Sequence, residues 1–194
     1  EKQPRQLEII DDMGKSAEAL NGLFNSLLDV SRLDAEIIEF NPTHAPVSDM
    51  FDALRAQFMQ QTMEKGVCLQ VDAQDHVFYS DVILLERVLR NLLSNAVQYT
   101  QNGFISLRCT EHENGSKLVT LEDSGIGIPA EFAEDVFSEY YQLHNPARDR
   151  SKGLGLGLAI ADRAARLHKG ELTLAKLPEG GLQSTLTLPL HPPQ

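Results

Sequence analysis

The stretch "SKGLGLGLAIADRAARLHKG", residues 151–170, sets Gly153, Gly155 and Gly157 at alternate positions and then runs without a break into a helical pattern. Glycine in a helix interior costs about 1 kcal/mol relative to alanine, so three of them at a helix entrance need a reason. Bare N–H groups beside a helix N-terminus supply one, because unsatisfied donors and the helix dipole attract anions there. Leu156, Ile160, Ala164 and Leu167 recur at helical spacing and form the expected buried face of a helix over roughly 156–168. Asp162, Arg163 and Arg166 point elsewhere.

Two stretches upstream carry related chemistry. "EDSGIGIP" (122–129) follows a β-prone run, so Asp123 ends a strand, where a carboxylate can accept a hydrogen bond from a base amino group. Gly125 and Gly127 let the backbone turn and approach a ligand closely; a plain glycine-rich turn is the alternative. "RNLLSNAVQYT" (90–100) lies on an apolar helix over 82–99, whose core stripe is Leu85, Leu89, Leu92 and Ala96. Arg87, Asn91, Asn95 and Gln98 line its opposite face. Asparagine is a mediocre helix former. Two of them one turn apart give a row of amide oxygens suited to a hard cation or a polar ligand, with an ordinary solvated face as the alternative. Between the two glycine-rich stretches runs "FSEYYQLHNPARDRSKG" (137–153), polar and long enough for a lid. Arg148, Arg150 and Lys152 sit on it, where they could meet phosphates; a disordered basic loop is the other reading.

The rest of the chain bounds the answer. At 194 residues with 42% apolar content it holds one domain, or one domain with an appendage, and a real core. A net charge of −11 argues against a nucleic-acid surface. Cys68 and Cys109 match no metal spacing, are expected as small buried hydrophobes, and fit a reducing compartment. No apolar run approaches the ~20 residues of a membrane span, and "EKQPRQ" at the start reads as the edge of an excised segment rather than a signal peptide.

Residues 5–40 read as one long helix after Pro4, with a seam of Leu7, Ile10, Met13, Ala17, Leu20, Phe24 and Leu27 that needs a partner helix. "NPTHAP" (41–46) ends it. A helix over 47–64 follows, carrying Val47, Met50, Phe51, Leu54 and Phe58, then short strands at 67–71 and 76–80. Ser80 or Asp81 can cap the helix 82–99. "FISLRCTEH" and "KLVTLED" flank Asn114-Gly115, a hairpin signal. Two strands, "ELTLAKL" and "QSTLTLPL", close the chain. The expected fold class is α/β: a two-layer sandwich with helices on one face of a mostly antiparallel sheet.

Taken together and in this order, the motifs resemble the catalytic ATP-binding domain of sensor histidine kinases, within the superfamily that shares the Bergerat fold. "NLLSNAVQYT" is similar to the family's N box, "DSGIGIP" to its G1 box, "FSEYYQ" to its F box and "GLGLGLAI" to its G2 box. "LLDVSRLDAE" (27–36) resembles the end of the second helix of the dimerisation and phosphotransfer domain. The resemblance implies a partial helix of that domain over 1–41 and the catalytic domain over 42–194. It implies ATP and Mg²⁺ as cofactors, with Asn95 on the metal, Asn91 on the phosphate side, and Gln98 and Tyr99 beside them, Tyr99 near the base. Asp123 would bind the adenine amino group, with Gly125, Gly127 and Ile128 at the nucleotide. Lys152, Gly153, Leu154, Gly155, Leu156 and Gly157 would form the lid hinge and the phosphate-facing helix start.

The implied activity is a protein-histidine kinase that passes the γ-phosphoryl group to a histidine and then to a response-regulator aspartate. Implied partners are a phosphotransfer domain of the same or the partner subunit and a receiver domain. A homodimeric parent and a cytoplasmic setting also follow, with an inner-membrane anchor of the parent left open. Two departures matter. Gln98 stands where many family members have lysine, which loses a charge that Arg148, Arg150 or Lys152 would replace. No histidine has the acceptor context of an acidic neighbour and a nearby proline on a helix. "HEN" (112–114) sits by a hairpin turn, and His44, His76, His144, His168 and His191 lack the context too. The acceptor helix is expected upstream, so the chain should not phosphorylate itself. The rival readings are a degenerate kinase that acts as a nucleotide-binding or docking regulator, another ATPase of the superfamily, and a dimerising scaffold.

Overall fold

The computed structural model describes residues 13–14, 24, 40–112, 115–143 and 155–189. Its elements in chain order are β1 (Thr43–Pro46), α1 (Val47–Lys65), β2 (Val67–Asp72), β3 (Val77–Ser80), α2 (Val82–Tyr99), β4 (Gly103–Glu111), β5 (Lys117–Asp123), α3 (Gly157–Leu167), β6 (Glu171–Lys176) and β7 (Leu182–Leu188). Among the described residues between β5 and α3, Ala130–Phe132 and Asp135–Phe137 form single 3₁₀ turns. The helix expected over 5–40, including "LLDVSRLDAE", lies outside the described residues except at Met13, Gly14 and Phe24, which are helical. Met13 and Phe24, both on the expected seam, are exposed.

Five strands form the main sheet in the order β2-β4-β5-β7-β6. Every pair is antiparallel except β2 and β4, which run parallel because α2 carries the chain across between them. Side chains alternate across a strand, and here the alternation is clean. Ile105, Leu107 and Cys109 of β4, Val119 and Leu121 of β5, and Leu186 and Leu188 of β7 all point to one buried face. Val47, Phe51, Leu54 and Phe58 of α1, Leu85, Leu89, Leu92 and Ala96 of α2, and Ala161, Ala164 and Ala165 of α3 join them in one core. Among the described residues the helices thus cover one face only, and the sandwich has two layers. No helix among the described residues is long and apolar enough to cross a membrane.

Three local expectations are corrected. "NPTHAP", expected only to end a helix, gives its last four residues to β1, which pairs antiparallel with β3 in a separate two-stranded sheet. Proline is tolerated in such an edge strand. Leu167 is 38% exposed rather than buried, because the alanine-rich stripe of α3 runs through Ala161, Ala164 and Ala165 to His168. His168 fills the position expected of Leu167. Cys68 is exposed, since it lies on the uncovered face of β2, an edge strand; Cys109 is buried as expected.

Candidate functional site

α2 begins with a true cap. The Asp81 carboxylate accepts from Leu84 N–H at 3.0 Å, and its other oxygen accepts from Asn41 N–H at 3.0 Å. With its start anchored and Leu85, Leu89, Leu92 and Ala96 in the core, α2 turns Asn91, Asn95 and Gln98 toward an open cavity of about 240 Å³. Tyr99, at the last residue of α2, lines the same cavity and is 38% exposed.

β5 delivers Asp123 to the same cavity. Its carboxylate accepts the Gly125 N–H at 2.9 Å and is 6% exposed. Burial holds its carboxyl above the ordinary carboxylate range, against the Gly125 and Leu182 N–H groups that draw it down. Among the described residues it is the one ionisable carboxylate in the lining. Gly125 is needed here: a Cβ would lie 2.7 Å from Tyr99 O and 2.8 Å from Asp123 Oδ1. Gly127, at φ +67°, lies against Gly181 in the same way, its missing Cβ 2.7 Å from Gly181 O. Gly181 in turn leaves no room above the Asp123 carbonyl. The turn after β5 is therefore stacked on the β6–β7 turn, which aims Asp123 inward.

α3 supplies the third wall. Gly155 takes φ +72°, and Gly157 opens the helix with no side-chain cap. A Cβ on Gly157 would lie 3.6 Å from Asn95 Nδ2, 3.7 Å from Asn95 Oδ1 and 3.9 Å from Asn91 Oδ1. The uncapped N-terminus of α3 thus faces both asparagine amides across van der Waals contact, a place where a helix start offers donors to an anion.

Asn91, Asn95, Gln98, Tyr99, Asp123, Gly127, Ile128, Gly155, Leu156 and Gly157 all line this cavity. Gly125 is outside the lining and donates its N–H to the Asp123 carboxylate. Lys152, Gly153 and Leu154, with Arg148 and Arg150, lie outside the described residues. Sequence reasoning missed Leu121, Val136, Leu182 and Ser184 of the lining, which carry ordinary strand and turn patterns with nothing to single them out. Gly181 was missed too, although the Gly180-Gly181 pair is a turn signal.

Residues 80–192 match the family model described as histidine kinase-, DNA gyrase B-, and HSP90-like ATPase. Sensor histidine kinase TmoS of Ectopseudomonas mendocina is 29% identical over 193 residues, covering 98% of this chain and 19% of that protein. Aerobic respiration control sensor protein ArcB of Escherichia coli (strain K12) is 30% identical over 182 residues, covering 92% of this chain and 23% of that protein. The chain thus spans less than a quarter of the length of these two relatives. Full-length ShkA, solved in complex with AMPPNP, shares the fold at a TM-score of 0.79 and 21% identity, covering 97% of this chain and 39% of that chain. The chain belongs to the histidine kinase-, DNA gyrase B- and HSP90-like ATPase family, as a catalytic ATP-binding domain of the sensor histidine kinase type.

Proposed function

We propose that the cavity binds ATP with Mg²⁺. In the parent protein, this domain transfers the γ-phosphoryl group to a histidine supplied from outside this sequence, for relay to a response-regulator aspartate. One observation carries the reading: the asparagine row of α2, the buried Asp123 and the uncapped start of α3 face a common cavity. AMPPNP in the ShkA complex supports the adenine nucleotide.

In this reading Asp123 accepts a hydrogen bond from the adenine amino group, and Tyr99 packs along the base. The phosphates run toward Gly155–Gly157, where the N–H groups of α3 meet them. Asn95, with Asn91 beside it, fits a magnesium ion. The donors are neutral amide oxygens, and magnesium takes few protein ligands while sharing substrate phosphates and water. No histidine, cysteine or carboxylate cluster competes for a metal among the described residues. When bound, the ion neutralises charge on the β- and γ-phosphates. The protein's own part is positioning, which is most of what phosphoryl transfer asks of a catalyst.

A separate phosphotransfer domain carrying its histidine, mixed with this chain, labelled ATP and Mg²⁺, tests the reading. Label is expected on that histidine and none on this chain alone. Nucleotide binding without transfer would favour a degenerate kinase that regulates by docking, the reading that Gln98 supports. Absence of nucleotide binding would overturn both.

A further inference from the structure

Lys65 ends α1 and does not line the cavity, yet its ammonium reaches the far end of α2. Nζ donates to Val97 O at 2.6 Å and to Gln98 O at 3.5 Å. The helix α2 has a use for such a donor. The last turn of α2 holds no basic residue, and its C-cap Thr100 is extended, at φ −96° and ψ 118°. The left-handed cap that commonly satisfies a helix's final carbonyls is therefore missing. Thr100 N–H takes the Ala96 carbonyl at 3.0 Å, and Lys65 takes the next two. α1 does not need its own lysine in the same way, because Gly66 at φ 70° already caps it through Met63 O and Thr62 O.

The turn that Lys65 holds carries Gln98 and Tyr99 into the cavity. The Tyr99 carbonyl is also the atom that a Cβ on Gly125 would meet at 2.7 Å, so the end of α2 and the Asp123–Gly125 turn are packed against each other. We propose that Lys65 is a positioning residue for the base end of the site. A cation lent by α1 sets the last turn of α2, and with it Tyr99, against the turn that aims Asp123. A cation at a helix C-terminus is favoured by the dipole as well as by the hydrogen bonds. The inference rests on the reading of the cavity as an adenine-nucleotide site.

The test compares the wild-type chain with Lys65→Met, which keeps an unbranched stem and removes the donor and charge, and Lys65→Arg, which restores both. Calorimetry would measure ATP, adenosine and inorganic tripolyphosphate, all with Mg²⁺. Lys65→Met is expected to weaken ATP and adenosine about three- to tenfold, with tripolyphosphate held within about twofold and Lys65→Arg recovering the loss. Unchanged adenosine affinity in Lys65→Met overturns the inference, as does an equal loss of adenosine and tripolyphosphate, which marks general loosening. A wild-type chain that binds neither ATP nor adenosine overturns the reading of the site itself, and this inference falls with it.

Discussion

Asp123 is a carboxylate kept where water would have served it better. Its folded carboxyl titrates above the ordinary 3.8 because burial disfavours the charge. The sign of the linkage follows. Asp123 favours the folded state most below its unfolded value, and that advantage is lost as pH rises through the folded value. At neutral pH the buried charge costs stability. Asp123→Asn should therefore leave the nucleotide-free protein as stable as wild type or more so at pH 7, with the gap closing toward pH 4. It should also weaken ATP about ten- to hundredfold, the worth of a hydrogen bond to a charged group; urea melts across pH and calorimetry check the two halves. Gln98→Lys restores a cation to a lining that holds none among the described residues. It should tighten Mg²⁺-ATP about three- to tenfold, and a titration showing no gain would place charge neutralisation elsewhere. Asp123 and the asparagines could be picked out in the sequence because carboxylates at strand ends and asparagines in helices run against local preference. Leu182 and Ser184 could not, since nothing in a β-strand pattern says which residue faces a ligand.

At the scale of elements, α2 is the spine of the site, and both its ends are held from elsewhere in the chain. Asp81 caps its start and also takes the Asn41 N–H from the segment that precedes β1. Behind it, the buried His168 ring has Nε2 3.2 Å from Asp81 O and Nδ1 2.7 Å from Ala164 O, with Phe40 edge-on at 5.2 Å. Asp81→Ala should destabilise the fold by about 1 to 2 kcal/mol, and Asp81→Ser should recover most of that loss through the α2 cap alone. Equilibrium urea denaturation separates them. The cap itself was readable, because Ser80-Asp81 precedes an apolar helix. Which residue of α3 would close the core was not. Leu167 and His168 differ by about 100° around the helix, and the histidine that turns inward meets Asp81 O and Phe40, partners distant in the chain.

For the molecule as a whole, one covered face of the sheet separates inert side chains from reactive ones. Cys109 is buried under the helices, and its thiol is pushed up to about 11, chiefly by burial. Cys68 lies on the uncovered face. A thiol reagent at pH 8 should label Cys68 in the native protein and reach Cys109 only on unfolding, as mass spectrometry of each cysteine would show. Saturating Mg²⁺-ATP should raise the melting temperature by linkage without changing that pattern. The amino-acid sequence by itself determined the alternation of the strands, the apolar stripes of α1 and α2, the strand-end acid and the glycine-rich helix entrance. Those features are set by local geometry, by the period of a strand or helix and by the freedom of a residue without a Cβ. Only the tertiary structure decided the strand order, the stacking of Gly127 on Gly181, the reach of Lys65 to the end of α2 and the side of the sheet that each cysteine occupies. Such contacts join residues tens of positions apart, and their partners are chosen by how the layers pack, which no local pattern records.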